Sequence, residues 1–159
     1  MEEDPGKTYP AAPVPDLENM EETFKRDQEM KDVYSEALGW LYDSIEAVKA
    51  GTTTREIALK WPSAKEIWGY EEEDQAAANL WGHGLGLAQY DPPVISRIWS
   101  LDHPIEIKPG MVFALETQHG IPFKFGVRIE EMLIVHEDET EIITNFPVNQ
   151  ITVVDPMAH

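Results

Sequence analysis

The chain has 159 residues, 42% of them hydrophobic, which suits one domain with a core of its own. A formal net charge of −18 argues against nucleic-acid binding and against an anionic membrane surface. There are no cysteines, so neither disulfides nor thiolate ligands are available. No apolar run approaches a membrane span, and the start of the chain lacks the basic and apolar stretches of a secretory signal, so a cytoplasmic location is expected.

Residues 1–24 read as an acidic, proline-rich tail or a remnant strand, with Pro5, Pro10, Pro13 and Pro15 set among acidic side chains. Residues 25–50 read as a long amphipathic helix. Met30, Val33, Tyr34, Ala37, Leu38, Leu41, Ile45 and Val48 recur at spacings of three and four. This stripe is core packing, and Gly51 is a natural residue to end the helix. Thr53-Thr54-Arg55-Glu56 is a capping box that opens a second helix. Pro62 interrupts it, and a third helical segment follows over 63–68. Glu71–Asp74 is a solvated acidic loop or first helical turn. Tyr90-Asp91-Pro92-Pro93 reads as a rigid turn, and Lys108-Pro109-Gly110 punctuates the chain before a strand. Thr140–Thr144 and Ile151–Val154 read as short strands. The tryptophans read as core or interface aromatics, with Trp81 also a candidate pocket wall. Arg97 reads as half of a surface salt bridge.

The informative stretch runs from Trp81 to Glu131. It contains Gly82-His83-Gly84-Leu85-Gly86-Leu87, then Glu116, then Gly126-Val127-Arg128-Ile129-Glu130-Glu131. Glycines on both sides of His83 allow close backbone approach and unusual φ. The pattern is not a phosphate loop, since no Lys-Ser/Thr follows and the net charge opposes it. Residues 111–118 and 125–135 are rich in β formers. Folding them about Phe123, with His119–Lys124 as the connection, sets Glu116 opposite Glu130. Side chains alternate by two, so both carboxylates share a face with Arg128, and Glu131 points to the other. Like charges directly opposite destabilise a sheet. A metal ion, a shared proton or Arg128 could offset that. One His with two Glu suits zinc, manganese, cobalt or iron.

These motifs resemble the carboxy-terminal half of the pita-bread metallohydrolases, the superfamily of methionine aminopeptidases, Xaa-Pro aminopeptidases and dipeptidases, and creatinase. The resemblance rests on Gly82–Leu87, on Lys108–Phe113 leading to Glu116, and on Gly126–Glu130, in the family's order. It covers roughly residues 28–147. It implies an α+β fold, a half or partial pita-bread domain over 25–159 with an antiparallel curved sheet and helices on one side. It makes His83, Glu116 and Glu130 metal ligands for one or two divalent ions (Mn, Co, Zn or Fe), with Glu116 and His83 catalytic. Tyr90, Trp81, His119 and Arg128 become candidate substrate-binding residues.

The sequence departs from the family at two points. The family's two upstream Asp ligands have no matching Asp-x-Gly stretch here. Asp16 and Asp27 have suitable separation but the wrong flanks. If Thr23-Phe24 ends a strand, Asn19 falls where the second Asp belongs. Seven residues after His83, where the family's peptidases often carry another His, stands Tyr90. A phenol cannot shuttle protons near neutral pH as imidazole does, and His119 or His103 would have to compensate. Three functions follow from the resemblance. One is a metallopeptidase acting on small Xaa-Pro peptides. Another is a non-peptidase relative, such as a creatinase-like or ectoine-type hydrolase or a lyase acting on a small-molecule amide. The third is an inactive half-domain that works by association, as a homodimer or with a chain supplying the missing half. That half would leave an exposed strand edge.

Overall fold

The structure, a computed structural model, describes residues 20–76 and 80–151. Its first element is the helix α1, Met20–Ala47, of 28 residues. It starts before the expected residue 25 and takes in Thr23 and Phe24, so these two do not end a strand. The rest of the predicted tail, and the strand predicted over 151–154 beyond Ile151, lie outside the described residues.

The buried residues Val33, Ala37, Leu41 and Ile45 recur every four positions and form the stripe that α1 lays on the sheet. The helix ends at Ala47, short of the expected residue 50, and Gly51 takes a φ of +88° in the turn that follows. The Thr52 hydroxyl lies within hydrogen-bond reach of the Lys49 carbonyl at 2.7 Å and of the Ala47 carbonyl at 3.1 Å, beside the acceptors of the helix end. Two short helices follow, α2 (Thr54–Ala58) and α3 (Ala64–Trp68). Each opens with a complete capping box, Thr53 with Glu56 and Ser63 with Glu66. The two Ser63 hydrogen bonds, backbone and side chain, hold the Glu66 carboxyl below its usual range. The acidic cluster after them closes into a 3-10 turn, Glu73–Gln75.

The strands are β1 (Gly82–Gly84), β2 (Asp91–Ile95), β3 (Val112–Ile121), β4 (Phe125–Val135) and β5 (Thr140–Ile142). They form one five-stranded sheet in the order β2-β1-β3-β4-β5, with every pairing antiparallel. Phe113, Leu115, Ile129, Leu133 and Val135 are buried in one cluster with the α1 stripe, Ile57, Trp61 and Trp81. Each large side chain buried in this way contributes about 1.5–3 kcal/mol. The helices therefore cover one face of the sheet.

Asp91–Ile95, expected in part as a turn, is a strand. Among the described residues it pairs only with β1, at the sheet edge, and a register shift between His83 and Gly84 leaves Pro92 and Pro93 out of the pairing. The other edge, β5, has three residues. The β3–β4 connection is tighter than expected, because pairing continues to Ile121 and Phe125. Phe123 takes a φ of 64° at the tip.

Candidate active site

The site is built on the sheet face turned away from α1. Its framework is β1, clamped between β2 and β3: His83 lies opposite Val94 on one side and Ala114 on the other. The two flanking glycines permit this closeness. A Cβ on Gly82 would lie 2.6 Å from Leu115 Cδ2, and one on Gly84 would lie 2.5 Å from the Pro92 carbonyl oxygen. Neither glycine has a positive φ, so close approach alone accounts for them. The loop after β1 is tied down by Asp91, whose Oδ2 accepts from the Ala88 amide at 3.3 Å.

Glu116 lies opposite Glu130 in the β3–β4 register, as symmetry about Phe123 requires. Glu116 is 3% exposed, whereas Glu130 is exposed. His83 Nε2 lies 3.2 Å from Glu116 Oε1, and both side chains are buried. On the other Glu116 oxygen, Oε2, sits the guanidinium of Arg128 as an ion pair. Arg128 reaches it diagonally, from opposite Gln118. Arg128 thus sets a positive charge against one member of the glutamate pair.

The histidine's hydrogen bonds sharpen the chemistry. His83 Nδ1 is 3.0 Å from the Gly84 carbonyl oxygen. A carbonyl only accepts, so Nδ1 carries the proton. In a neutral imidazole Nε2 then presents a lone pair, and it faces a carboxylate oxygen. Two acceptors at that distance need a cation between them, either a proton on Nε2 or a metal ion. Fixing one ring nitrogen on a backbone carbonyl is also how ligating histidines are held. His83 and Glu116 thus fit as two ligands of a metal ion. The described residues do not complete the set. No three or more His, Asp, Glu or Cys among them lie close enough together to hold an ion, and Glu130 stays outside the His83–Glu116 pair.

The other expected site residues divide between this face and elsewhere. The Tyr90 ring lies 4.4 Å from the His83 ring and is more than half exposed. Trp81 is a core residue, 2% exposed and stacked on Trp61. His119 points to the opposite face of the sheet, where Nε2 meets Glu36 of α1 at 3.0 Å and the ring packs on Trp40. It is an odd-numbered β3 residue, so alternation keeps it from Glu116. His103 packs on Trp99, and no contact links it to His83. Neither histidine compensates for Tyr90. Arg97 is better buried than a surface pair, bonding Glu73 Oε1 at 2.7 Å and the Trp61 carbonyl at 3.0 Å.

Sequence reasoning set Glu131 aside, yet it is 4% exposed on the α1 side, with no hydrogen-bond partner for Oε2. It contributes, after burial and Tyr42, to raising the Tyr34 phenol above its usual range. Its position in the hydrophobic alternation of β4, between Ile129 and Leu133, was the available signal.

An open antiparallel sheet with helices on one face, carrying His and Glu on the other, is part of the pita-bread architecture of the metallohydrolases. The profile of metallopeptidase family M24 matches residues 19–137, and the chain belongs to that family. The Xaa-Pro dipeptidase of Pyrococcus furiosus is 31% identical over 117 residues, covering 74% of this chain and 32% of that protein. The probable dipeptidase PepE of Mycobacterium tuberculosis is 27% identical over 110 residues, covering 69% of this chain and 28% of that protein. Among solved structures, recombinant prolidase from Thermococcus sibiricus superposes with a TM-score of 0.66 at 26% identity, covering 79% of this chain and 32% of that one. The X-Pro aminopeptidase of Thermotoga maritima gives 0.61 at 28% identity, covering 76% and 32%. The chain spans about a third of the length of the relatives it matches.

Proposed function

We propose that this chain forms the carboxy-terminal part of the catalytic domain of a divalent-metal-dependent peptidase acting on small Xaa-Pro peptides. The observation that carries the reading is the buried contact of His83 Nε2 with Glu116 Oε1 at 3.2 Å, two acceptors that call for a cation. His83 and Glu116 would hold the ion, and Glu130, opposite Glu116 on the same face, would have to turn toward them to join. When bound, a divalent ion polarises the scissile carbonyl and lowers the pKa of water.

The chain's own residues do the rest. Glu116 takes a proton from the attacking water as the new C–O bond forms, and returns it to the amine nitrogen as the C–N bond breaks. The Gly84 carbonyl keeps the His83 ring in one orientation. Tyr90 would donate a hydrogen bond to the bound peptide. It would not relay protons at neutral pH.

The test is hydrolysis of Ala-Pro dipeptide by the purified chain with manganese, cobalt or zinc, against Glu116→Gln. Cleavage that depends on the metal and disappears in Glu116→Gln supports the reading. A chain that holds metal and does not cleave refutes turnover by this chain. The incomplete ligand set among the described residues favours, as the second reading, a half-domain that completes its site by association with another chain. Light scattering and activity in the presence of a complementing amino-terminal half would test it.

A further inference from the structure

We infer that Arg128 is the resident counter-cation of this site: it neutralises Glu116 when no metal is bound, and it must leave that carboxylate for a divalent ion to enter. The inference rests on the metal-site reading above and assigns to Arg128 the setting of metal affinity. A buried carboxylate without a counter-charge is strongly disfavoured. Arg128 supplies that charge beside Oε2, which has no hydrogen-bond partner among the described residues, while His83 lies against Oε1.

The three side chains differ in freedom. Glu116 and His83 are 4% and 5% exposed as side chains, and both stand on paired strands. The Arg128 side chain is 54% exposed. The buried pair is therefore fixed and the guanidinium is free to swing into solvent. A divalent ion and a guanidinium on one small carboxylate repel each other, and water screens them little at a buried group. The two cations exclude one another, and the free energy of the ion pair is subtracted from that of metal binding. Arg128 is a positioning residue in this account and takes no part in the chemistry.

Zinc titration calorimetry on the full chain tests this, with Arg128→Met and Arg128→Lys compared with wild type. Arg128→Met is expected to bind zinc at least tenfold more tightly, while Arg128→Lys, which keeps the charge, stays within about threefold of wild type. A merely structural role would weaken binding in Arg128→Met. Wild type that binds zinc with Arg128→Met no tighter overturns the inference and leaves the metal site standing. No zinc binding by either protein overturns the metal site and the inference together. If Arg128→Met does not fold, wild type alone decides. The Arg128 Nε–H resonance, assigned by its loss in Arg128→Lys, should move on zinc saturation. A resonance that stays in place while zinc binds overturns the inference.

Discussion

Gly84→Ala is the sharpest test of how the fold holds His83 in place. The added Cβ would lie 2.5 Å from the Pro92 carbonyl oxygen and 2.9 Å from that of Asp91. Both are backbone atoms, so no side-chain rotation relieves the contact. Either β2 must pull away from β1 or the strain stays. Overpacking of this kind costs about 1–3 kcal/mol, a fall in Tm of roughly 3–9 °C at about 3 °C per kcal/mol for a domain of this size. Gly39→Ala is the internal control. Gly39 is an exposed residue of α1, and a Cβ there meets nothing within 4 Å. Alanine should stabilise the helix by about 0.5–1 kcal/mol. The assay is thermal unfolding followed by circular dichroism, with the His83 ring resonances as a local probe. Gly84→Ala as stable as Gly39→Ala, with unmoved His83 resonances, would refute the claim that close approach at β1 demands glycine.

Three further outcomes are expected. Trp61 Nε1 donates to Thr117 Oγ1 at 2.9 Å in the core. Thr117→Val strands that donor and should cost about 1–3 kcal/mol in urea unfolding. Glu131→Met removes a buried carboxyl whose Oε2 has no hydrogen-bond partner. It should raise stability by about 1–3 kcal/mol, and spectrophotometric titration should find the Tyr34 phenol more acidic. Because the Glu66 pKa is lowered, its contribution to α3 is fully present above the ordinary carboxylate range and is lost as pH falls through the lowered value. The hydrogen-exchange protection factor of the Gly69 amide, which bonds the Lys65 carbonyl, should fall in acid in wild type. It should lack that step in Glu66→Gln.

The β3–β4 hairpin was legible in the sequence because strand alternation leaves so little choice. Two β-rich runs folded about Phe123 pair Phe113 with Leu133 and Leu115 with Glu131, and this register sets Glu116 against Glu130. The stripe of α1 and the Thr53–Glu56 capping box were legible for the same reason, since their spacing is local, whereas the Ser63–Glu66 box came only with the structure. The edge strand β2 was hidden by Pro92 and Pro93, which mark a turn unless the sheet edge is known. The partner of Glu116 stayed open because a metal ion, a proton and Arg128 satisfy the same charge. The diagonal reach of Arg128 across the hairpin to Glu116 is what the structure adds to that choice. The side of the sheet to which His119 belongs was hidden because His119 read as part of the connection, whereas pairing runs on to Ile121, and the weight of Glu131 could not be judged without knowing what α1 covers.

Calorimetric titration of the purified chain with manganese, cobalt and zinc, repeated on His83→Ala and Glu116→Gln, addresses the central claim most directly. The account predicts that wild type binds a divalent ion and that each substitution abolishes or greatly weakens binding while the fold, followed by circular dichroism, survives. Wild type that binds no ion, or variants that bind it as tightly as wild type, would contradict the assignment of His83 and Glu116 as the chain's metal ligands.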